Sequence, residues 1–257
     1  MSSGPSEVRQ FFDNAAASYR SKYHHDRPWH RYFFSERLEA ALSVQTLDNT
    51  RVLDIGAGTG DLYDAVTARF RNVEFHGCDL SAEMLAQSHI PQSNRHVGNV
   101  TELDFEKRHF DAIFMLGVTT YMTDDELNHT FDKVKEWLSD NGTFIVTFTN
   151  RAAFDWKMRR MLRGIVRFFS RGKRVLGSLR VSPRTHADAI ALLNNSFEVE
   201  KTIWLNHTVF PFYLPFPRWS VSRAMRKHTT IQLSPARERC SSDFMLVLKR
   251  TRAAVNG

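Results

Sequence analysis

Residues 51–60 read Arg51-Val52-Leu53-Asp54-Ile55-Gly56-Ala57-Gly58-Thr59-Gly60. A short apolar strand pattern runs into three glycines, and an amphipathic helix over Asp61–Phe70 follows. Glycine serves where a turn needs a positive φ or where a ligand must approach the backbone closely. Such a turn alone is a weak signal; two acids sharpen it. Asp54 stands two residues before Gly56, at the carboxyl end of the strand. A dinucleotide fold seats a pyrophosphate there, on a helix N-terminus. A carboxylate in that place repels phosphate and welcomes an ammonium group. The glycines are also spaced G-x-G-x-G rather than G-x-G-x-x-G. Asp79 ends the next strand, where an acid accepts hydrogen bonds from ribose hydroxyls. The implied ligand has a ribose and a positive charge but no phosphate, and S-adenosylmethionine has those three properties.

Outward from this turn, short apolar runs alternate with helical patterns. Val73–Asp79 reads as a second strand and Ser81–Ser88 as a helix capped by Ser81. His96–Gly98 opens a short third strand, and Asp111–Leu116 reads as a fourth, buried on both faces. Asp124–Leu138 is predicted helical because Leu127, Phe131, Val134 and Leu138 recur at helical spacing. Asn141-Gly142 marks a turn before a fifth strand over Thr143–Thr149. Alternation of this kind predicts a parallel sheet covered on both faces. Further on, Thr185–Leu193 reads as a helix, and Phe197–Leu205 and Asp243–Lys249 as strands. Between those strands Val209–Trp219 reads as an apolar, proline-broken loop, and a basic run (Arg218, Arg223, Arg226, Lys227) follows it.

The series VLDIGAGTG, FHGCDLSAEML, GNVTELDF, FDAIFMLGVTTYMTDDEL and LSDNGTFIVTF resembles, in order and spacing, the motifs of class I S-adenosylmethionine-dependent methyltransferases of the small-molecule type. The likeness covers roughly residues 51–150. It implies an α/β, Rossmann-like, doubly wound sheet of seven strands with the last antiparallel. Residues 1–46 would be an N-terminal helical lid and 47–150 the cofactor-binding core. Residues 151–184 would be a basic helical insertion or cap after the fifth strand, and 185–257 the completion of the sheet. The resemblance places Asp54, Gly56, Ala57, Gly58 and Gly60 at the methionine end of the cofactor and Asp79 on its ribose. Leu80 and Met84 would lie near the adenine, Asn99 and Val100 at its edge, and Leu116 and Gly117 at the methyl-transfer face. Tyr19 of the lid would touch the cofactor, although Tyr19, Tyr23 and Tyr32 equally suit the lid's own core. Asn99 departs from the acid often found in that place; its carbonyl can accept from the adenine amino group, and Asn is also an ordinary turn residue.

A sulfonium methyl is already activated, so its in-line transfer depends mainly on positioning. A base is needed only where the acceptor must lose a proton early. The candidates are Tyr121, just past the fourth strand, His25 in the lid, and His207 after the sixth strand. A metal is not expected: His24, His25, His30, His76, His89, His96 and His109 lack H-E-x-x-H or C-x-x-C surroundings.

The chain has 257 residues, 42% hydrophobic and 25% charged, which excludes wholesale disorder. Its two cysteines, Cys78 and Cys240, cannot build a disulfide framework. Neither a signal peptide nor a membrane span is expected, so the reading is cytoplasmic, peripheral on the inner face of a membrane. Residues 151–184 hold eleven basic residues and one acid, a charge of +10, whereas the whole chain is +7 and the remainder therefore −3. Phe154, Met158, Met161, Leu162, Ile165, Val166 and Phe169 recur on one helical face among those arginines. A basic amphipathic helix of this kind either lies on an anionic membrane or caps the acceptor site. The leading reading is a methyltransferase acting on a hydrophobic or lipid-linked small molecule at a membrane surface. An RNA methyltransferase holding phosphates with the basic segment, and a non-catalytic cofactor-binding scaffold on a membrane, remain as alternatives.

Overall fold

The central strand β1 (Arg51–Ile55) is buried from Val52 onward and lies between two parallel neighbours. These are β2 (Glu74–Asp79) and β4 (Phe110–Met115). With β3 (Arg95–Val97), β5 (Leu138–Thr149), β6 (Phe197–Leu205) and β7 (Asp243–Arg250), they form one seven-stranded sheet in the order β3-β2-β1-β4-β5-β7-β6. β7 alone runs opposite to the other six strands. This is a computed structural model; it describes residues 4–24, 28–158, 160–161, 179, 181–193, 196–208, 212–213 and 215–251.

Period-two alternation along β4 divides the core. Ile113 and Met115 join Leu53, Ile55, Phe144 and Val146 on the face covered by α5 (Asp124–Trp137). Ala112 and Phe114 join Val52 and Ile145 on the face covered by α2 (Pro28–Leu42) and α3 (Asp61–Arg69). A strand buried on both faces needs an unbroken apolar run, as Ala112-Ile113-Phe114-Met115 supplies.

α5 starts on a capping box in which Thr123 and Glu126 satisfy each other's backbone N–H groups. It ends one residue earlier than its apolar spacing predicts. Leu138 is extended (φ −71°, ψ 130°) and opens β5, while Trp137 closes the helix's buried stripe. Asn141-Gly142 does not form a hairpin turn; it lies inside β5. The register slips from Phe110↔Leu138 to Ala112↔Thr143, so the turn-forming pair marks a bulge. A Cβ on Gly142 would stand 2.7 Å from the Leu138 side chain.

Helix α1 (Pro5–His24) packs on α4 (Ala82–Ala86), where the Ser81 hydroxyl donates to Asp13 at 2.5 Å. Thr185 caps α6 (His186–Leu192) with Asp188. The expected loop over Val209–Trp219 ends early, because α7 (Pro217–Leu233) begins at Pro217. Proline at the first helical turn loses nothing, since that N–H has no intrahelical partner. A four-residue α8 (Arg237–Cys240) leads into β7. Of the expected insertion helix, 154–158 and 160–161 are helical; its remainder lies outside the described residues. Arg184, counted with the basic segment, is buried rather than part of a charged surface.

Candidate active site

Parallel strands bring β1, β2, β4, β5 and β6 to one rim by their carboxyl ends, and β7 reaches it by its first residue. Gly56, Gly58 and Gly60 all have positive φ (76°, 55° and 82°), which a residue with a Cβ adopts only under strain. The turn is tied to β2: Gly56 N–H and Ala57 N–H both donate to the Cys78 carbonyl, at 2.8 and 3.0 Å. Gly58 N–H donates to one oxygen of Asp79 and Ser81 N–H to the other, each at 2.9 Å. Each carboxylate oxygen has two lone pairs, so Asp79 keeps acceptor capacity for a ligand. Burial pushes its carboxyl up, and the two backbone N–H groups pull it back.

Asp54 is buried, and its carboxyl is pushed up to about 8. Desolvation is the main cause, and the two charges acting on it, Asp79 and Asp61, are both acids. A carboxylate held this way gains from any cation placed beside it.

Around this turn, Met84 is buried, with its Cε 3.4 Å from where a Gly58 Cβ would stand, and Leu80 is half-buried. Asn99 acts as a turn residue. Its side-chain carbonyl accepts from Thr101 N–H at 3.2 Å and its backbone carbonyl from Glu102 and Leu103. Val100 is buried in the core. Past β4, Leu116 is half-buried and Gly117 (φ 78°) donates to the Thr147 hydroxyl at 2.8 Å. The Arg37 guanidinium occupies the space where a Gly117 Cβ would be.

The other sequence candidates separate into two groups. Tyr121 meets Phe12 of α1 edge-on at 5.4 Å, and Phe12 meets Tyr19 at 6.3 Å, so Tyr19 and Tyr121 share one aromatic chain. His25 lies outside the described residues. His207 is buried in a polar cluster that the sequence did not assemble. In that cluster the Tyr32 hydroxyl donates to Glu36 Oε1 at 2.6 Å, and Asn206 N–H donates to Glu36 Oε2 at 2.7 Å. His228 Nδ1 stands 3.1 Å from Glu36 Oε1. Burial and the Glu36 charge push the Tyr32 phenol far above its ordinary range, and burial lowers His207 and raises Asp243. Glu36, Arg37, His228 and Asp243 have no spacing signature, because they come from α2, α7 and the start of β7.

The strand order, with β7 reversed, and the glycine turn after β1 define a class I, Rossmann-like fold. Residues 53–144 match the family described as a methyltransferase domain, and the sheet they belong to has the class I strand order. The chain is 32% identical over 83 residues to a malonyl-[acyl-carrier protein] O-methyltransferase from Herminiimonas arsenicoxydans. It is 28% identical over 111 residues to phosphoethanolamine N-methyltransferase 1 from Caenorhabditis elegans. These matches cover 32% and 42% of this chain, but only 32% and 23% of those relatives' lengths. The fold matches that of magnesium protoporphyrin IX methyltransferase from Synechocystis PCC 6803, solved with bound SAH. That likeness has a TM-score of 0.63 at 14% identity, over 96% of this chain and 98% of that one.

Proposed function

We propose that the protein transfers the methyl group of S-adenosylmethionine to a hydrophobic or lipid-linked small molecule at the inner face of a membrane. The observation that carries methyl transfer is Asp54: a buried carboxylate, acted on by other acids, beside a turn whose three glycines all have positive φ. The cofactor's ammonium group supplies the missing cation, and Asp79 takes the ribose hydroxyls. Leu80, Met84, Asn99 and Val100 surround the adenine, and Tyr19 on the α1 lid closes over it. Leu116 and Gly117 then face the sulfonium methyl. Transfer forms a bond from the acceptor's lone pair to the methyl carbon and breaks the S–CH3 bond, leaving a neutral thioether. Where the acceptor is a hydroxyl or amine, a proton leaves with it, and Tyr121, His25 and His207 are the groups proposed to take it.

The acceptor class follows from the apolar surface near that rim. Phe154, Met161, Phe212, Phe216 and Trp219 are each more than half exposed, on the segments that follow β5 and β6. Exposed aromatics interspersed with Arg160, Arg218 and Lys227 suit lipid or a greasy acceptor. Both curated relatives bear the names of enzymes that methylate small or carrier-linked acceptors rather than nucleic acid.

Incubating the protein with methyl-labelled cofactor and a membrane extract tests the reading. Label is expected in the lipid fraction. Label in RNA alone, or none despite cofactor binding, overturns it. Asp79→Ala is expected to cost about 1.5–3 kcal/mol of cofactor affinity, the worth of hydrogen bonds to a charged group. Unchanged affinity by calorimetry would remove the ribose assignment.

A further inference from the structure

We infer that Glu36, His207 and His228 bind one divalent transition-metal ion of the zinc or cobalt kind. One donor atom from each lies within 4.8 Å of the donors of the other two. Three elements supply them: α2, the connection after β6, and α7.

The orientation of His207 points to a cation. Its Nδ1 faces the Ser241 hydroxyl at 3.2 Å, and that hydroxyl donates to the Arg237 carbonyl at 2.7 Å. Its Nε2 is buried and has no hydrogen-bond partner among the described residues. The Ser241 oxygen, its own proton given to Arg237, therefore accepts from Nδ1–H, and Nε2 carries a lone pair. A buried lone pair with no donor among the described residues, in a cluster with a carboxylate, is an unfavourable arrangement that a metal ion resolves.

The other two donors suit the same ion. His228 Nδ1 and Glu36 Oε1 are 3.1 Å apart. Ligands bonded at about 2.1 Å to one tetrahedral or octahedral ion stand about 3.0–3.4 Å apart, so this spacing needs little change. Tyr32 O–H and Asn206 N–H hold the two oxygens of Glu36, the outer support that metal-bound carboxylates use. The remaining His228 nitrogen faces Gln232, which is pinned to the Trp204 backbone. Two imidazoles and one carboxylate favour zinc, cobalt or iron(II) over magnesium or calcium, which prefer oxygen alone. Three protein ligands leave a coordination position open to water or to an oxygen of a bound molecule. With the ion present, His207 is a ligand and no longer a base.

A second group, Glu74, His76 and His109, has comparable spacing, but its carboxylate is exposed and both its histidines are only half-buried, and it includes the first residue of β2, at the far end of the strand from the rim. It provides the control. Untagged, chelator-stripped protein is titrated with Co2+ and followed by the visible absorption of the bound ion. One equivalent is expected to bind. His207→Ala, His228→Ala and Glu36→Gln are each expected to weaken binding by more than the 10–100-fold typical of outer-shell changes. His76→Ala should leave it unaltered. His228 is half-exposed, so its variant decides the matter if His207→Ala does not fold. Zn2+ should also raise the melting temperature of the parent and not that of His228→Ala. A parent that binds no Co2+, or binding that survives His228→Ala but falls with His76→Ala, overturns the site.

Discussion

Asp54 concentrates the chemistry of the rim into one side chain. Its carboxyl sits at about 8 in the folded, cofactor-free protein, against about 3.9 in an unfolded chain. Between about pH 4 and 8 the folded state therefore holds a proton that the unfolded state has lost. Stability falls as pH rises through that window and levels off above the folded value. Asp54→Asn should remove this slope and make the free protein more stable at pH 8, by an amount of order a few kcal/mol. An ammonium group reverses the preference, so binding S-adenosylhomocysteine below pH 8 should expel the proton. Its affinity is expected to rise between pH 6 and 7.5 by up to about tenfold per unit. Calorimetry in buffers of different ionisation enthalpy reads the released proton directly. A flat affinity in the parent, or the same slope in Asp54→Asn, would refute the assignment. Asp54 and Asp79 were legible in the sequence because each stands at a strand end beside its own turn. Glu36 and His228 were not, because their partners are brought together only by tertiary packing.

At the level of elements, Arg184 shows why local charge counts mislead. The sequence places it in a basic run, yet its guanidinium is buried. It donates to Asp124 at 2.7 and 3.0 Å and to the backbone carbonyls of Thr119, Ser182 and Met122. A parallel bridge between Asn150 and Arg184 then joins this segment to the end of β5. One side chain thus braces the turn after β4, the start of α5 and the return from the insertion. Arg184→Ala leaves three carbonyls short of a donor and is expected to cost roughly 2–4 kcal/mol in urea unfolding. Lysine should restore little of that, because it lacks the planar fork that serves several acceptors at once. A loss below about 0.5 kcal/mol would show that the brace is not needed. The same contrast separates what was readable. β1 and β6 have the bounds their patterns predict, since each pattern is local. α7 escaped notice because it buries only Ser220 and Ala224, too little to show an apolar stripe, and Pro217 was the remaining signal. The β5 bulge was marked by Asn141-Gly142, but a turn pair alone does not distinguish a bulge from a hairpin.

At the scale of the whole molecule, the question is what its apolar and basic surface meets. Among the described residues no helix is long and apolar enough to cross a membrane. Phe216 and Trp219 are 59% and 53% exposed at the start of α7, and Phe154 and Met161 are 51% and 62% exposed on the segment after β5. The cap alternative required the Phe154 face to be packed on the protein; at these two positions it is not. A surface that binds lipid gains from buried apolar area and from attraction to anionic headgroups, about 1 kcal/mol per basic residue near the membrane. The protein should therefore sediment with anionic vesicles at low salt. Replacing Arg159, Arg160, Arg163 and Arg167 with Gln should abolish that, and raising salt should mimic the change, because the attraction decays over a Debye length of about 8 Å at physiological ionic strength. Phe216→Ser with Trp219→Ser should weaken binding equally at every salt concentration, since each aromatic contributes roughly 1.5–3 kcal/mol of salt-independent burial. Exposed positions tolerate such substitutions within about 0.5 kcal/mol each, so the fold and cofactor affinity should hold. If the parent stays in the supernatant with anionic vesicles at low salt, the membrane surface is not its partner, and the exposed aromatics belong to the acceptor alone.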